Sequence, residues 1–234
     1  MTWKLKTPAR VMLIGPSQSG KSELILRLVA DDSVWDAPFR RIVYVAPLLD
    51  DRDAYLERLR ETCGEKKTLT ATDAIPKVED LRSLAHEDVE GRGVLLVLDD
   101  LLSYKQNPDA VRDLAVMHSH HSDISVVMCV QNPFSAGKSK LDLVTLGRNL
   151  TAKFILYQLQ DYYVLRTLNS RLFPERKDFL LRCLKTAKEK LGACYVVVNL
   201  HPFSGLERRV ICYTGVFADE RAGRFDSPVF FALE

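Results

Sequence analysis

The stretch Gly15-Pro16-Ser17-Gln18-Ser19-Gly20-Lys21-Ser22 follows directly on the apolar run Val11-Met12-Leu13-Ile14. It fits the pattern of glycine, four residues, then Gly-Lys-Ser/Thr, which binds the phosphates of a nucleoside triphosphate. Such a loop turns its backbone N–H groups inward around the phosphate oxygens. Lys21 then reaches the β- and γ-phosphates, and the Ser22 hydroxyl serves as a ligand for Mg²⁺. Gly20 allows close backbone approach, and a helix beginning there adds its positive N-terminal end. A chance match in a chain of this length has a probability on the order of one per cent. The required context of strand before and helix after is present, since residues 22–30 read as a helix.

A triphosphate site of this kind also needs a carboxylate at the tip of a buried strand. Val94-Leu95-Leu96-Val97-Leu98 is followed by Asp99-Asp100. We assign Asp99 to the magnesium shell and Asp100 to the general base that polarises the attacking water, a position where glutamate is usual. Asp100 as a simple cap of the next helix is the alternative. The apolar run Ile124–Val130 ends in Gln131. A strand lying between the phosphate-loop strand and the acidic strand places this glutamine beside the γ-phosphate, to sense it or to position water. Its other use is to satisfy backbone groups at the strand end.

The remaining pattern predicts an α/β protein. Strands are expected at 9–14, 41–46, 94–98, 124–130 and 151–157, with a brief extended segment near 68–70. Helices are expected at 51–62 with Ala54, Tyr55 and Leu59 inward, and at 76–86 with Val78, Leu81, Leu84 and Ala85 inward. A further helix opens at Asn107-Pro108 and runs to about His121, with Val111, Leu114, Ala115 and His118 facing in. The segment 134–147 is read as a long loop. Residues 174–191 form the most amphipathic helix, lined by Leu180, Leu184, Ala187 and Leu191. Strands at 194–200 and 209–213 form a C-terminal hairpin. No repeat or linker stands out, so residues 1–234 are expected to form a single P-loop domain.

Composition narrows the class. Hydrophobic residues make up 47% and charged residues 27% of 234, values of a globular protein with a full core. No apolar run approaches the roughly 20 residues that span a membrane. The N-terminus lacks an apolar signal region, which predicts an intracellular protein with no membrane partner. Five widely spaced cysteines without a Cys-x-x-Cys pair argue against a disulfide framework or zinc ribbon. Residues 136–191 hold twelve Lys/Arg against five Asp/Glu, a local excess of +7, whereas residues 1–135 carry −4. The basic stretch is either a nucleic-acid surface or one solvated helix face.

Three stretches together resemble one family. Val94–Leu102 (VLLVLDDLL), Met117–His121 (MHSHH) and Val126–Phe134 (VVMCVQNPF) are similar to the viral genome-packaging ATPases of the FtsK/HerA superfamily. The nearest group is that of Polinton elements, virophages and adenovirus-like elements, and more distantly the poxvirus enzyme. The resemblance continues through Gly147–Phe154 (GRNLTAKF) and departs after Tyr157, where relatives carry an Asn-Pro-Arg-Asp-like turn. It implies an ASCE, RecA-like P-loop fold with a mostly parallel central sheet and antiparallel C-terminal strands. It further implies ATP at Gly15, Pro16, Ser17, Gln18, Ser19, Gly20, Lys21 and Ser22, Mg²⁺ at Ser22 and Asp99, and hydrolysis through Lys21, Asp100 and Gln131. Arg148 falls where an arginine acts on the nucleotide of a neighbouring subunit. The activity implied is ATP-driven translocation of double-stranded DNA into a capsid by a ring of five or six subunits docked on a capsid or portal-vertex protein. A helicase-like or partition ATPase, or a nucleotide-gated scaffold with weak hydrolysis, are the alternatives.

Two smaller features carry less. His118, His120 and His121 have no cysteine or carboxylate at matching spacing and suit a helix end better than a metal. Gly137-Lys138-Ser139 lacks the earlier glycine and a feeding strand, so we reject it as a second nucleotide site. Lys138 and Lys140 have the charge and reach to touch DNA phosphates in a ring's central pore, the alternative being a plain solvated loop.

Overall fold

Runs such as Val-Leu-Leu-Val-Leu, with no polar alternation, are stable only where both faces of a strand are covered. The computed structural model bears this out, and it describes residues 3–47, 52–87, 93–100, 108–114, 122–134, 143–156, 162–191, 195–201, 209–213 and 228–231. Its first half runs β1 (Arg10–Ile14), α1 (Lys21–Ala30), β2 (Arg41–Val45), α2 (Asp53–Cys63), β3 (Thr68–Thr72), α3 (Val78–His86) and β4 (Val94–Leu98). There follow α4 (Pro108–Asp113), β5 (Ile124–Val130), α5 (Leu143–Arg148), β6 (Ala152–Leu156), α6 (Tyr162–Leu172) and α7 (Phe179–Leu191). The chain closes with β7 (Tyr195–Asn199), β8 (Val210–Tyr213) and β9 (Pro228–Phe231).

The nine strands among the described residues join one sheet in the order β3-β2-β4-β5-β1-β6-β7-β8-β9. The first six are mutually parallel, and β7, β8 and β9 are added antiparallel. Strand β5 therefore lies between β4 and β1, which is the topology of ASCE, RecA-like P-loop NTPases. Each face of the sheet buries its own core. On one, Leu24, Ile25 and Leu28 of α1 and Leu56 and Leu59 of α2 pack with Leu13, Tyr44, Trp35 and Phe39. On the other, Leu81 of α3, Val164, Leu165 and Leu168 of α6, and Leu180, Leu184 and Ala187 of α7 cover Met12, Leu96 and Met128. No helix among the described residues is long and apolar enough to cross a membrane.

Two contacts pin the strand β1 at its start. The Ala9 N–H donates to the buried Ser125 Oγ at 2.9 Å, and the Arg10 N–H donates to Thr151 Oγ1 at 2.9 Å. Before β4, Gly93 adopts φ +74, and a Cβ there would lie 1.6 Å from the Asp123 carbonyl oxygen. Only glycine fits that turn.

The structure corrects several expectations. In α2 the inward stripe is Leu56, Leu59 and Cys63, while Ala54 is exposed. The segment expected to be a loop through residue 147 includes α5, and α6 and β9 were not foreseen. The last helix starts at Phe179 rather than Pro174, because Asp178 takes a left-handed φ of 54 and breaks the chain direction. Asn169 of α6 supplies the missing cap: its Oδ1 accepts from the Leu180 N–H at 2.9 Å and its Nδ2 donates to the Arg176 carbonyl at 2.8 Å. Asn107, residues 115–121 with His118, His120 and His121, Lys138, Lys140, Tyr157 and Cys194 lie outside the described residues, as does the side chain of Leu191.

Candidate nucleotide site

The phosphate loop connects the C-terminal end of β1 to α1. Its first turn is tied to the neighbouring strand by the Gly15 N–H, which donates to the Val130 carbonyl at 3.1 Å. Gln18 and Gly20 both adopt left-handed backbone, with φ 61 and 95. Gly20 stands at the N-cap of α1, and no side chain caps that helix. The free N–H groups of its first turn are thus left for an incoming anion. A Cβ on Gly15 would meet Ser19 Oγ at 2.6 Å and Leu156 Cβ at 3.1 Å, so the loop closes tightly only around glycine. Ser19 Oγ is buried without a hydrogen-bond partner. An orphaned hydroxyl beside an uncapped helix start fits a phosphate oxygen.

Lys21 folds back over the loop, donating to the Gly15 carbonyl at 2.7 Å and the Pro16 carbonyl at 2.6 Å. Burial pushes its ammonium downward, and Cys129, Asp99 and Asp100 oppose that shift. The same coupling shows that the tip of β4, the tip of β5 and Lys21 converge on one spot.

Asp99 is 4% exposed. Its Oδ2 accepts from the Tyr44 hydroxyl at 2.7 Å and from Arg52 Nη1, and Arg52 Nη1 also donates to the Tyr44 hydroxyl at 2.8 Å. Its Oδ1 accepts from the Asp100 N–H at 3.0 Å, with Asp100 at φ 51. A non-glycine residue in that region is uncommon and is tolerated best by Asp and Asn. Burial and then Asp99 push the Tyr44 phenol up, so it stays a donor. Burial pulls Arg52 down, but Tyr44 and Asp99 more than offset it, and the guanidinium stays charged. Burial, followed by the neighbouring Asp99 carboxylate, pushes the thiol of Cys129, fully buried on β5, well up, so it stays neutral. Ser22 and Asp99 offer the hard oxygen ligands that magnesium takes. No cluster of three or more His, Cys, Asp or Glu capable of holding a metal occurs among the described residues.

Gln131 directly follows β5 with an exposed side chain, next to the Gly15–Val130 bond. Its side chain makes no hydrogen bond among the described residues. The structure thus brings Gly15–Ser22, Asp99, Asp100 and Gln131 to one end of the sheet. Arg148 is elsewhere. It ends α5, exposed, ahead of β6, whose first residue pairs with Val11 near the entry of β1.

Tyr44, Arg52, Tyr55 and Cys129 were not anticipated. Tyr55 donates to the Ser22 carbonyl at 3.1 Å and tilts against Tyr44, its ring centroid 5.7 Å away. A polar-tipped tyrosine inside the aliphatic run Ile42–Val45 was the one available signal.

No model of a known protein family matches the sequence, and no curated protein matches it. Several solved structures are distantly similar. The genome packaging NTPase B204 of Sulfolobus turreted icosahedral virus 2 shares 16% identity over 82% of this chain and 92% of its own, with a TM-score of 0.45. EssC of Geobacillus thermodenitrificans shares 13% identity over 67% of this chain and 33% of its own, at 0.45. The type III secretion ATPase EscN of enteropathogenic E. coli shares 16% identity over 71% and 45%, at 0.39.

Proposed function

We propose that the protein is an ATP hydrolase whose turnover drives double-stranded DNA, packaging a viral or mobile-element genome into a capsid. The observation that carries the hydrolase part is the placement of β5 between β4 and β1, which sets Gln131 and Asp99-Asp100 at the mouth of the phosphate loop. The packaging part rests on the resemblance of residues 94–102, 117–121 and 126–134 to packaging ATPases.

In this reading the loop N–H groups and Lys21 hold the triphosphate, and Ser22 with Asp99 would hold Mg²⁺, which draws charge from the phosphates. Gln131 orients a water in line with the γ-phosphorus. As the water oxygen bonds to phosphorus, the bond to the β-phosphate bridging oxygen breaks, and Asp100 takes the water proton. Arg148, exposed at the end of α5, serves a neighbouring subunit in a ring of five or six, where such a residue contributes about 10³-fold or more. The ring would dock on a capsid or portal-vertex protein inside the host cell.

A second reading, a nucleotide-gated scaffold with weak hydrolysis, is favoured by the short Asp100 arm and by Arg52 already lying on Asp99. Steady-state ATP turnover with and without duplex DNA separates the two. Lys21→Ala should abolish DNA-stimulated turnover while far-ultraviolet circular dichroism stays native. Unchanged turnover in that variant refutes the site.

A further inference from the structure

A cavity of about 520 Å³ opens on the sheet face opposite α1, between β6, α5 and α6. Met12, Phe134 and Leu168 form apolar wall, and Lys153, Arg148 and Arg171 contribute cations. No carboxylate lines it among the described residues. Lys153 is the anomaly. The other residues of β6 are buried and apolar, and Lys153 pairs with Met12, so its side chain enters the core side of the sheet. It makes no hydrogen bond or ion pair among the described residues. A Cβ on Gly147 would lie 3.8 Å from its Nζ, so α5 crosses close over the ammonium. The Arg171 guanidinium rests 4.8 Å above the Phe134 ring, which fixes its plane. It likewise has no hydrogen-bond partner among the described residues.

An ammonium half-buried against apolar wall, beside the Arg171 guanidinium, is unfavourable unless an anion joins it. A methionine or leucine at 153 would fill the space without that cost. A single carboxylate would leave most of the positive charge unmatched, whereas a phosphate or diphosphate carries two or more charges and suits the bidentate fork of arginine. We propose that this cavity binds a small phosphate compound of two or more negative charges through Lys153 and Arg171, separately from the nucleotide loop. Burial, and then Arg171, push Lys153 down to about 8. An anion seated there raises it again, so binding at pH 8 takes up about half a proton.

The test is calorimetric titration of inorganic pyrophosphate into the full chain, with the phosphate loop first saturated by a non-hydrolysable ATP analogue. One equivalent should still bind. Lys153→Met and Arg171→Gln should each weaken it at least tenfold, while Lys21→Ala should not. Both variants are expected to fold, since methionine at 153 removes a costly buried ammonium and Arg171 is exposed. Should the ATP analogue fail to bind at all, the nucleotide reading falls, and the same titration on the Lys21→Ala protein still decides this one. Binding abolished by loop saturation, affinity unchanged in both cavity variants, or displacement of pyrophosphate by duplex DNA would each overturn the proposal.

Discussion

Arg52→Met removes the guanidinium that lies on Asp99 while keeping an apolar stem of similar reach. The Arg52 side chain is 27% exposed and that of Asp99 6%, so solvent screens the pair from one side only. A charge-assisted hydrogen bond contributes about 1.5–3 kcal/mol, and screening on the arginine side reduces this to about 1–2 kcal/mol. Its loss leaves Asp99 with Tyr44 and the Asp100 N–H. For a chain of this size each kcal/mol moves Tm by about 2–4 °C, so the nucleotide-free variant should melt about 2–8 °C lower. Magnesium should act in the opposite sense. In the native chain a cation reaching Asp99 has to displace Arg52, and in the variant it does not. The same 1–2 kcal/mol, read as a binding ratio, makes the variant's magnesium affinity about 5–30-fold higher. Thermal unfolding followed by circular dichroism across graded MgCl₂ reads both effects, because a ligand of the folded state stabilises it by RT ln(1 + [L]/Kd). Equal Tm and equal magnesium response in the two proteins would show that Arg52 does not hold Asp99.

Other expected outcomes are simpler. Gly93→Ala should cost more than about 3 kcal/mol, from left-handed strain plus a Cβ 1.6 Å from the Asp123 carbonyl, measured by urea unfolding. Asn169→Ala should cost about 2–4 kcal/mol by the same assay, because the start of α7 loses its cap and the Arg176 carbonyl its donor. Lys153→Met should be the more stable form near pH 7 by about 2–3 kcal/mol, since the folded chain holds this lysine near 8 against 10.5 when unfolded. Between those values the unfolded chain binds a proton that the folded chain does not, so native stability rises with pH there and the gap closes by about pH 10.5. A gap that is flat from pH 7 to 10.5 would contradict this placement of Lys153.

What was legible in the sequence was what local chemistry determines. Four apolar runs without polar alternation had to be two-sided strands, and the spacing of Gly15, Gly20 and Lys21 had to be a phosphate loop. The position of β5 followed from Gln131 and the single connection between Asp100 and Ile124. Features decided by distant contacts were not legible. The residues from Pro174 to Asp178 look like a helix start, yet the cap of α7 comes from Asn169, one helix earlier. Strand β9 is four residues long, begins with proline and gains its place only by pairing with β8. Arg52 reaches Asp99 across 47 positions, and nothing in its neighbourhood marks it as part of the site.

The central position of β1 also dictates when the protein can begin to work as it is made. Its partners are β5, whose residues lie 116 positions later (Arg10 beside Val126), and β6, 141 positions later (Val11 beside Ala152). Gly15 is anchored to Val130 and packed by Leu156. A nascent chain therefore releases its phosphate loop from the ribosome well before its packing partners and cannot shape it until Leu156 has followed. Nucleotide capture by ribosome-bound chains should switch on abruptly once that residue is free, rather than growing with length.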